Sequence, residues 1–405
     1  MPLGAAIVSY GLTMAFQSTT TSLFLANAVH VGPLLIGLYF ALRGAASIGV
    51  SLATGRLSDR LRDRRVIIAA AGVAGVVGGV CQALLRDYAL VLVTGVVCLS
   101  IGYLTFSQLF AYATEYAAAH GRPVTSFTSV VRSGLSAAWV AGPPLGLFLM
   151  ARYGFGPLYL ITAALSVVTV VLSRWGLSRV PPQAPVALPA PVPVPGEALP
   201  GEALPDEAGA GRGRRALPAR MWLLLGAVVA LGTVNQMYGI DVSLFVTADR
   251  HLSAQLVGWM AGLAAGLEIP VIIVAGRVAD RLGKRRVVLA SAVVAAVFFG
   301  LLPLAASPAA LLALQGLNAA WVGVALSVPM VMVQEEAGRG AGAASALYSS
   351  AFMAASVLAG AVTGIAASAV GYGNVFWVCA ALSLVACGLL AIGPGVRPGR
   401  ARGER

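Results

Sequence analysis

Gln17, Arg43, Gln108 and Arg132 in the first half of the chain stand inside long runs of apolar residues, as do Asn235, Asp241, Glu268, Gln315 and Asn318 in the second. Each can do something an aliphatic neighbour cannot. Amides donate and accept together, which suits a ligand rich in hydroxyls. Tyr238 and Trp321, close in sequence to Asn235 and Asn318, add aromatic faces against which the apolar side of a ring can lie. Asp241 and Glu268 are carboxyls able to trade a proton: burial favours the neutral form, a nearby guanidinium the charged one. Arg43 and Arg132 do not readily lose a proton, so each calls for a carboxylate partner or an anionic ligand group. The plain alternative for every amide is a hydrogen bond to a neighbouring helix. Gln82, near the end of its run, is read that way.

Spacing gathers these groups onto faces. Thr13, Gln17 and Thr20 or Thr21 recur at helical intervals. Asn235, Tyr238 and Asp241 lie three apart, and so do Gln315, Asn318 and Trp321. The elements that must carry them are apolar runs near 4–29, 34–54, 66–85, 89–114, 125–150, 156–177, 221–247, 255–275, 287–306, 309–333, 341–369 and 373–393. A membrane-crossing helix needs about 20 such residues, and the runs lack the alternation of barrel strands. The chain is 59% hydrophobic and only 10% charged, whereas a soluble domain carries about 25% charged residues. These features predict an all-α membrane protein with twelve transmembrane helices. At the centre of a bilayer an Arg or Asp costs about 2.5–3.5 kcal/mol, which makes the embedded polar residues candidates for a site.

The net charge of +12 is not a nucleic-acid signal, because the basic residues sit in short clusters between apolar runs. Arg56, Arg60, Arg62, Arg64 and Arg65 fill one loop; Arg277, Arg281, Lys284, Arg285 and Arg286 fill another. Arg86, Arg152 and Arg250 fall in the opposite loops. Positive residues stay on the cytoplasmic side, so both termini are expected there, in a multi-pass protein of the cell membrane. Residues 178–219 are Pro-rich, repeat GEALP in tandem and read as an extended linker. The expected organisation is therefore a bundle at 1–177, the linker at 178–219, a bundle at 220–396 and a basic tail at 397–405. No enzyme is expected. His30, His120 and His251 show no metal spacing, the four cysteines lie in apolar segments, and no nucleotide-binding Gly-rich loop occurs. Catalytic residues, cofactors and metals are accordingly expected to be absent.

The chain also repeats itself at one constant offset. Ser22-Leu23-Phe24 falls on Ser243-Leu244-Phe245, His30 on His251, Gly37 on Gly258, and Glu115 on Glu336. GRLSDRLRDRRV at 55–66 falls on GRVADRLGKRRV at 276–287. Charged loops that match in register indicate duplication, hence two pseudo-symmetric six-helix bundles with a site between them near the bilayer midplane.

Those two loops resemble the signature of the major facilitator superfamily. The first copy departs from it, with Arg62 and Asp63 at the usual Gly and basic positions. The resemblance implies a cytoplasmic gate built from Gly55, Asp59, Arg60, Arg64 and Arg65 and from Gly276, Asp280, Arg281, Arg285 and Arg286; Glu115 and Glu336, at the cytoplasmic edge of the fourth and tenth helices, read as inner-gate or structural ion pairs. It also implies that the first, fourth, seventh and tenth helices line the cavity. Further stretches are similar to bacterial sugar efflux transporters: IGLYFALRGAASIGVSL at 36–52, QLFAYATEYA at 108–117, SVVRSGLSAAWVAGPPLG at 129–146, NQMYGID at 235–241, AGLEIPVIIVAG at 265–276 and LQGLNAAWVG at 314–323. That family implies a neutral amide where this chain has Arg43. The stretch from Ala138 through Pro143 and Pro144 to Gly146 partly matches the fifth-helix motif of proton-coupled exporters. The resemblance implies export of small sugars or glycosides by proton antiport and alternating access, in a monomer. Gln17, Gln108, Arg132, Asn235, Tyr238, Gln315 and Asn318 would touch substrate, and Arg43, Asp241 and Glu268 would serve proton coupling or charge pairing. Multidrug efflux on the same fold is the first rival, and a transporter-like sensor the second.

Overall fold

The computed structural model describes residues 2–58, 64–119, 124–177, 218–337 and 341–392. The described residues form helices joined by short turns. In chain order they make twelve rods: α1 (Pro2–Asn27), α2 (Pro33–Ser58), α3 (Arg64–Leu84), α4 (88–119), α5 (Val124–Tyr153), α6 (Phe155–Leu177), α7 (Ala219–Asp249), α8 (Ala254–Leu282), α9 (Lys284–Leu304), α10 (308–337), α11 (Ala341–Val370) and α12 (Tyr372–Ile392). Ten of these stretches are long and apolar enough to cross a membrane. The other two are α1, a single 26-residue helix, and α4. Large apolar side chains are exposed along the rods, including Val73, Val171, Trp222 and Ile365. A water-soluble surface rarely carries so many exposed large apolar side chains; they suit a membrane-spanning bundle.

Two predicted rods are interrupted. In α4 a π-turn spans Gly95–Leu99, where the glycine backbone lies against the fully buried Tyr39 ring. In α10 the helix breaks at Leu314 and again at 326–327. Hydropathy reads both as continuous because the break residues are apolar apart from Ser327. Most of the linker and the whole tail fall outside the described residues.

The duplication reappears in backbone geometry. His30 and His251 both adopt positive φ, at 58° and 53°. Around them the same hydrogen bonds recur in register: Val29 N–H to Phe24 carbonyl and Arg250 N–H to Phe245 carbonyl, then Val31 to Leu25 and Leu252 to Val246. Phe24 meets Tyr159 edge-on at 5.1 Å, and Phe245 meets Phe376 edge-on at 5.1 Å. An arginine covers each of those phenylalanines: Arg86 over Phe24, and Arg250 over Phe245.

The two halves meet along α2 with α11 and α5 with α8. The closest approach lies toward the end that the arginine distribution assigns to the outside. A Cβ on Gly37 would fall 2.5 Å from the Gly360 carbonyl oxygen and 2.6 Å from the Gly364 nitrogen. On the other seam a Cβ on Gly258 would lie 2.8 Å from the Pro144 Cα. Only glycine permits such contact between helix backbones. Further along, Gly49 of α2 and Gly266 and Gly276 of α8 have nothing within 4 Å of an added Cβ. The halves are thus clasped at the Gly37 and Gly258 end by backbone contacts.

Candidate functional site

Between the halves lies a cavity of about 340 Å³. Helices α1, α2, α4 and α5 of the first half and α7, α8, α10 and α11 of the second contribute to its wall. Its volume falls within the range of small-molecule sites, roughly 300–1,000 Å³.

The second-half wall carries a connected polar chain. Tyr238 hydroxyl donates to Gln315 Oε1 at 3.2 Å, and Asn318 Nδ2 donates to the same oxygen at 2.9 Å. Trp321 Nε1 donates to Asn318 Oδ1 at 3.1 Å, and Gln315 Nε2 donates to the Leu311 carbonyl at 3.0 Å. Gln315 and Trp321 are fully buried, while Tyr238 and Asn318 reach the cavity. The helical spacing seen in sequence therefore does position Tyr238, Gln315 and Asn318 together. Two of them face the space and Gln315 orients them from behind. Asn235 also lines the cavity. Replacing Asn318 with leucine would strand the buried Trp321 N–H. We expect a loss of about 1–3 kcal/mol, read as a lower thermal unfolding temperature of the purified protein in detergent.

Two charged groups face the same space. Arg43 of α2 lines it, and its guanidinium makes no ion pair or hydrogen bond with any described residue. Glu268 of α8 lines it as well, only 6% exposed, with Oε1 buried and unpartnered among the described residues. They do not pair with each other.

Other predicted residues lie elsewhere. Gln17 points into a separate cleft of about 20 Å³ inside the first half, shared with Thr13 and Thr105. The cavity face of α1 is instead Met14, Ser18 and Thr19. Thr20 turns inward to share a hydrogen bond with the Tyr159 hydroxyl at 3.3 Å. Gln108 is buried away from the cavity, with Oε1 unpartnered among the described residues. Arg132 is half-buried, makes contacts of its own and does not line the cavity. Asp241 is fully buried in the second bundle with both carboxyl oxygens unpartnered among the described residues, and it too is outside the cavity wall. Sequence reasoning passed over Gln236, whose Nε2 donates to Ser356 Oγ at 3.1 Å and which lines the cavity beside Asn235. Its polarity within an apolar run was the available signal, and the three-residue periodicity of its neighbours hid it.

The prolines of α5 leave the helix continuous, and Pro143 lines the cavity. Gln255 of α8 donates to the Pro144 carbonyl at 3.1 Å and so joins the halves. Of the gate residues, Asp59 and Arg60 lie outside the described residues. Gly55, Arg64, Arg65 and Glu115 fall on helices whose side chains there are not described. In the second half Arg285 donates to the Leu390 carbonyl, capping the end of α12, and Lys284 pairs with Glu335. Gly276, Asp280, Arg281 and Arg286 are exposed, and Glu336 Oε2 is buried without a partner among the described residues.

Comparison with known proteins gives one family. The model of the Major Facilitator Superfamily matches residues 3–240 and 223–405. Sugar efflux transporter A of Escherichia coli strain K12 is 34% identical over 381 residues, covering 94% of this chain and 92% of that protein. Sugar efflux transporter B of Salmonella typhimurium is 35% identical over 373 residues, covering 91% and 88%. Among solved structures, the nucleoside transporter NupG superposes with a TM-score of 0.75 at 17% identity, covering 96% of this chain and 98% of that one. That likeness shows the fold alone.

Proposed function

The chain belongs to the major facilitator superfamily, and from that premise we propose that it exports small sugars or glycosides from the cytoplasm in exchange for protons. The observation that carries the reading is the Tyr238–Gln315–Asn318–Trp321 chain beside Asn235 and Gln236. It offers paired donors and acceptors next to aromatic rings, the kind of surface a receptor presents to a sugar. The names of the relatives point the same way. A pocket for lipophilic drugs would be more apolar, and this polar wall weighs against that rival.

Transport proceeds by alternating access. The glycine seams clasp the end that the arginine distribution assigns to the outside, which supports a conformation open to the cytoplasm. Glu268, in the cavity wall with Oε1 unpartnered among the described residues, is the proton carrier that best fits. The bundles at 1–177 and 220–396 act as the two rocking bodies of a monomer, with both termini cytoplasmic. The test is flux of a sugar panel in proteoliposomes with and without a proton gradient, against a counterpanel of lipophilic cations. Gradient-driven movement of sugars supports the reading. Movement of the cations alone replaces it with drug efflux, and counterflow of nothing replaces it with a sensor.

A further inference from the structure

The cavity has a duplicated frame and unduplicated charge. Offsetting the second half onto the first places Arg43 on Ala264 and Ser47 on Glu268, and all four residues line the cavity. Each charged residue therefore has a small uncharged counterpart on the opposite wall. The two stand one helical turn apart in the shared register. This places the positive group on the first-half wall and the carboxyl on the second-half wall, a turn further along.

Arg43 is the group without an explanation. Its guanidinium forms no bond with any described residue, yet it is held in a membrane-embedded cavity, where a charge is retained only for a purpose. A neutral sugar needs no cation, because the amide and tyrosine wall already supplies donors. A guanidinium presents a planar fork of donors matched to a carboxylate or phosphate. We propose that the substrate is a sugar bearing an anionic group, a carboxylate or a phosphate ester. The anion sits on Arg43, and the hydroxyls face Tyr238, Asn318 and Asn235. Glu268, a turn away on the opposite wall, would repel a misplaced anion and so fix the orientation of the sugar.

This inference rests on the sugar-export reading, and the experiment separates the two. Binding of methyl glucoside, glucuronate and glucose 6-phosphate to the purified full-length protein is measured directly, for the wild type, Arg43→Gln and Arg43→Lys. The wild type is expected to prefer one or both acidic sugars, and which one identifies the anion. Loss of a charge-assisted hydrogen bond corresponds to about 10- to 100-fold in affinity, so Arg43→Gln should weaken the acidic sugar by that factor and leave methyl glucoside unchanged. Arg43→Lys keeps the charge without the fork and should fall between the two, which gives a reading even if Arg43→Gln does not fold. Wild-type preference for the neutral glucoside, or equal weakening of neutral and acidic sugars by either variant, overturns the anionic substrate and leaves sugar export standing. Binding of none of the three overturns both.

Discussion

Glu268→Gln should abolish gradient-driven accumulation of sugar while leaving counterflow intact. The side chain sits in the cavity wall with Oε1 buried and no partner among the described residues. A carboxyl so placed can accept a proton from one side and release it to the other as the halves rock. Glutamine keeps its size and cannot be charged. Substrate still binds and crosses, but the proton no longer travels against it, so proteoliposomes under ΔpH should reach only equilibration. Folding should not suffer, since an uncompensated buried charge costs several kcal/mol that the amide does not carry. Asp241→Asn is the comparator. Asp241 is buried with both oxygens unpartnered among the described residues, but it lies outside the cavity wall, so its loss should weaken coupling less. Coupling unchanged in both variants would end the proton-exchange reading.

The second large effect is expected at Gly37. Valine there places a branched side chain where even a Cβ would meet the Gly360 carbonyl oxygen at 2.5 Å and the Gly364 nitrogen at 2.6 Å. The obstacle is backbone, which cannot step aside as a side chain would. Overpacking of about 3 kcal/mol is enough to shift the balance between clasped and opened outer ends by more than about 100-fold. Net transport should fall by a similar factor. A cysteine at Ser18, which lines the cavity, should become reactive toward an impermeant thiol reagent added outside. Gly49→Val is the control on the same helix, because nothing lies within 4 Å of its Cβ position. Equal transport in Gly37→Val and Gly49→Val would show that the outer clasp plays no part in the cycle.

Much of the architecture was legible because lipid imposes it. Apolar length reveals spans, and duplicated charged loops reveal two halves. What sequence could not supply was the direction each polar face takes. Gln17 with Thr13 and Thr20 satisfies the same helical arithmetic as Asn235 with Tyr238. Yet the first set turns into its own bundle and only the second reaches the central space. In a membrane bundle both surroundings tolerate an amide, so periodicity finds the face but not its destination. The breaks in α4 and α10 escaped notice for a related reason: Val96, Val97 and Leu99 in the first, and Leu314 and Leu326 in the second, are as apolar as their neighbours. Arg43 and Glu268 could be found because charge within a span is rare. Whether they paired could not, since that depends on the width of a cavity that neither helix encodes alone.

The unequal charges on α2 and α8 also bear on how such a molecule could have arisen. A dimer of identical halves related by a two-fold axis must present the same residue on both walls. Two first halves would confront guanidinium with guanidinium, and two second halves carboxyl with carboxyl. Opposite charges facing one cavity require two unlike halves, so neither half is expected to regain activity by pairing with itself.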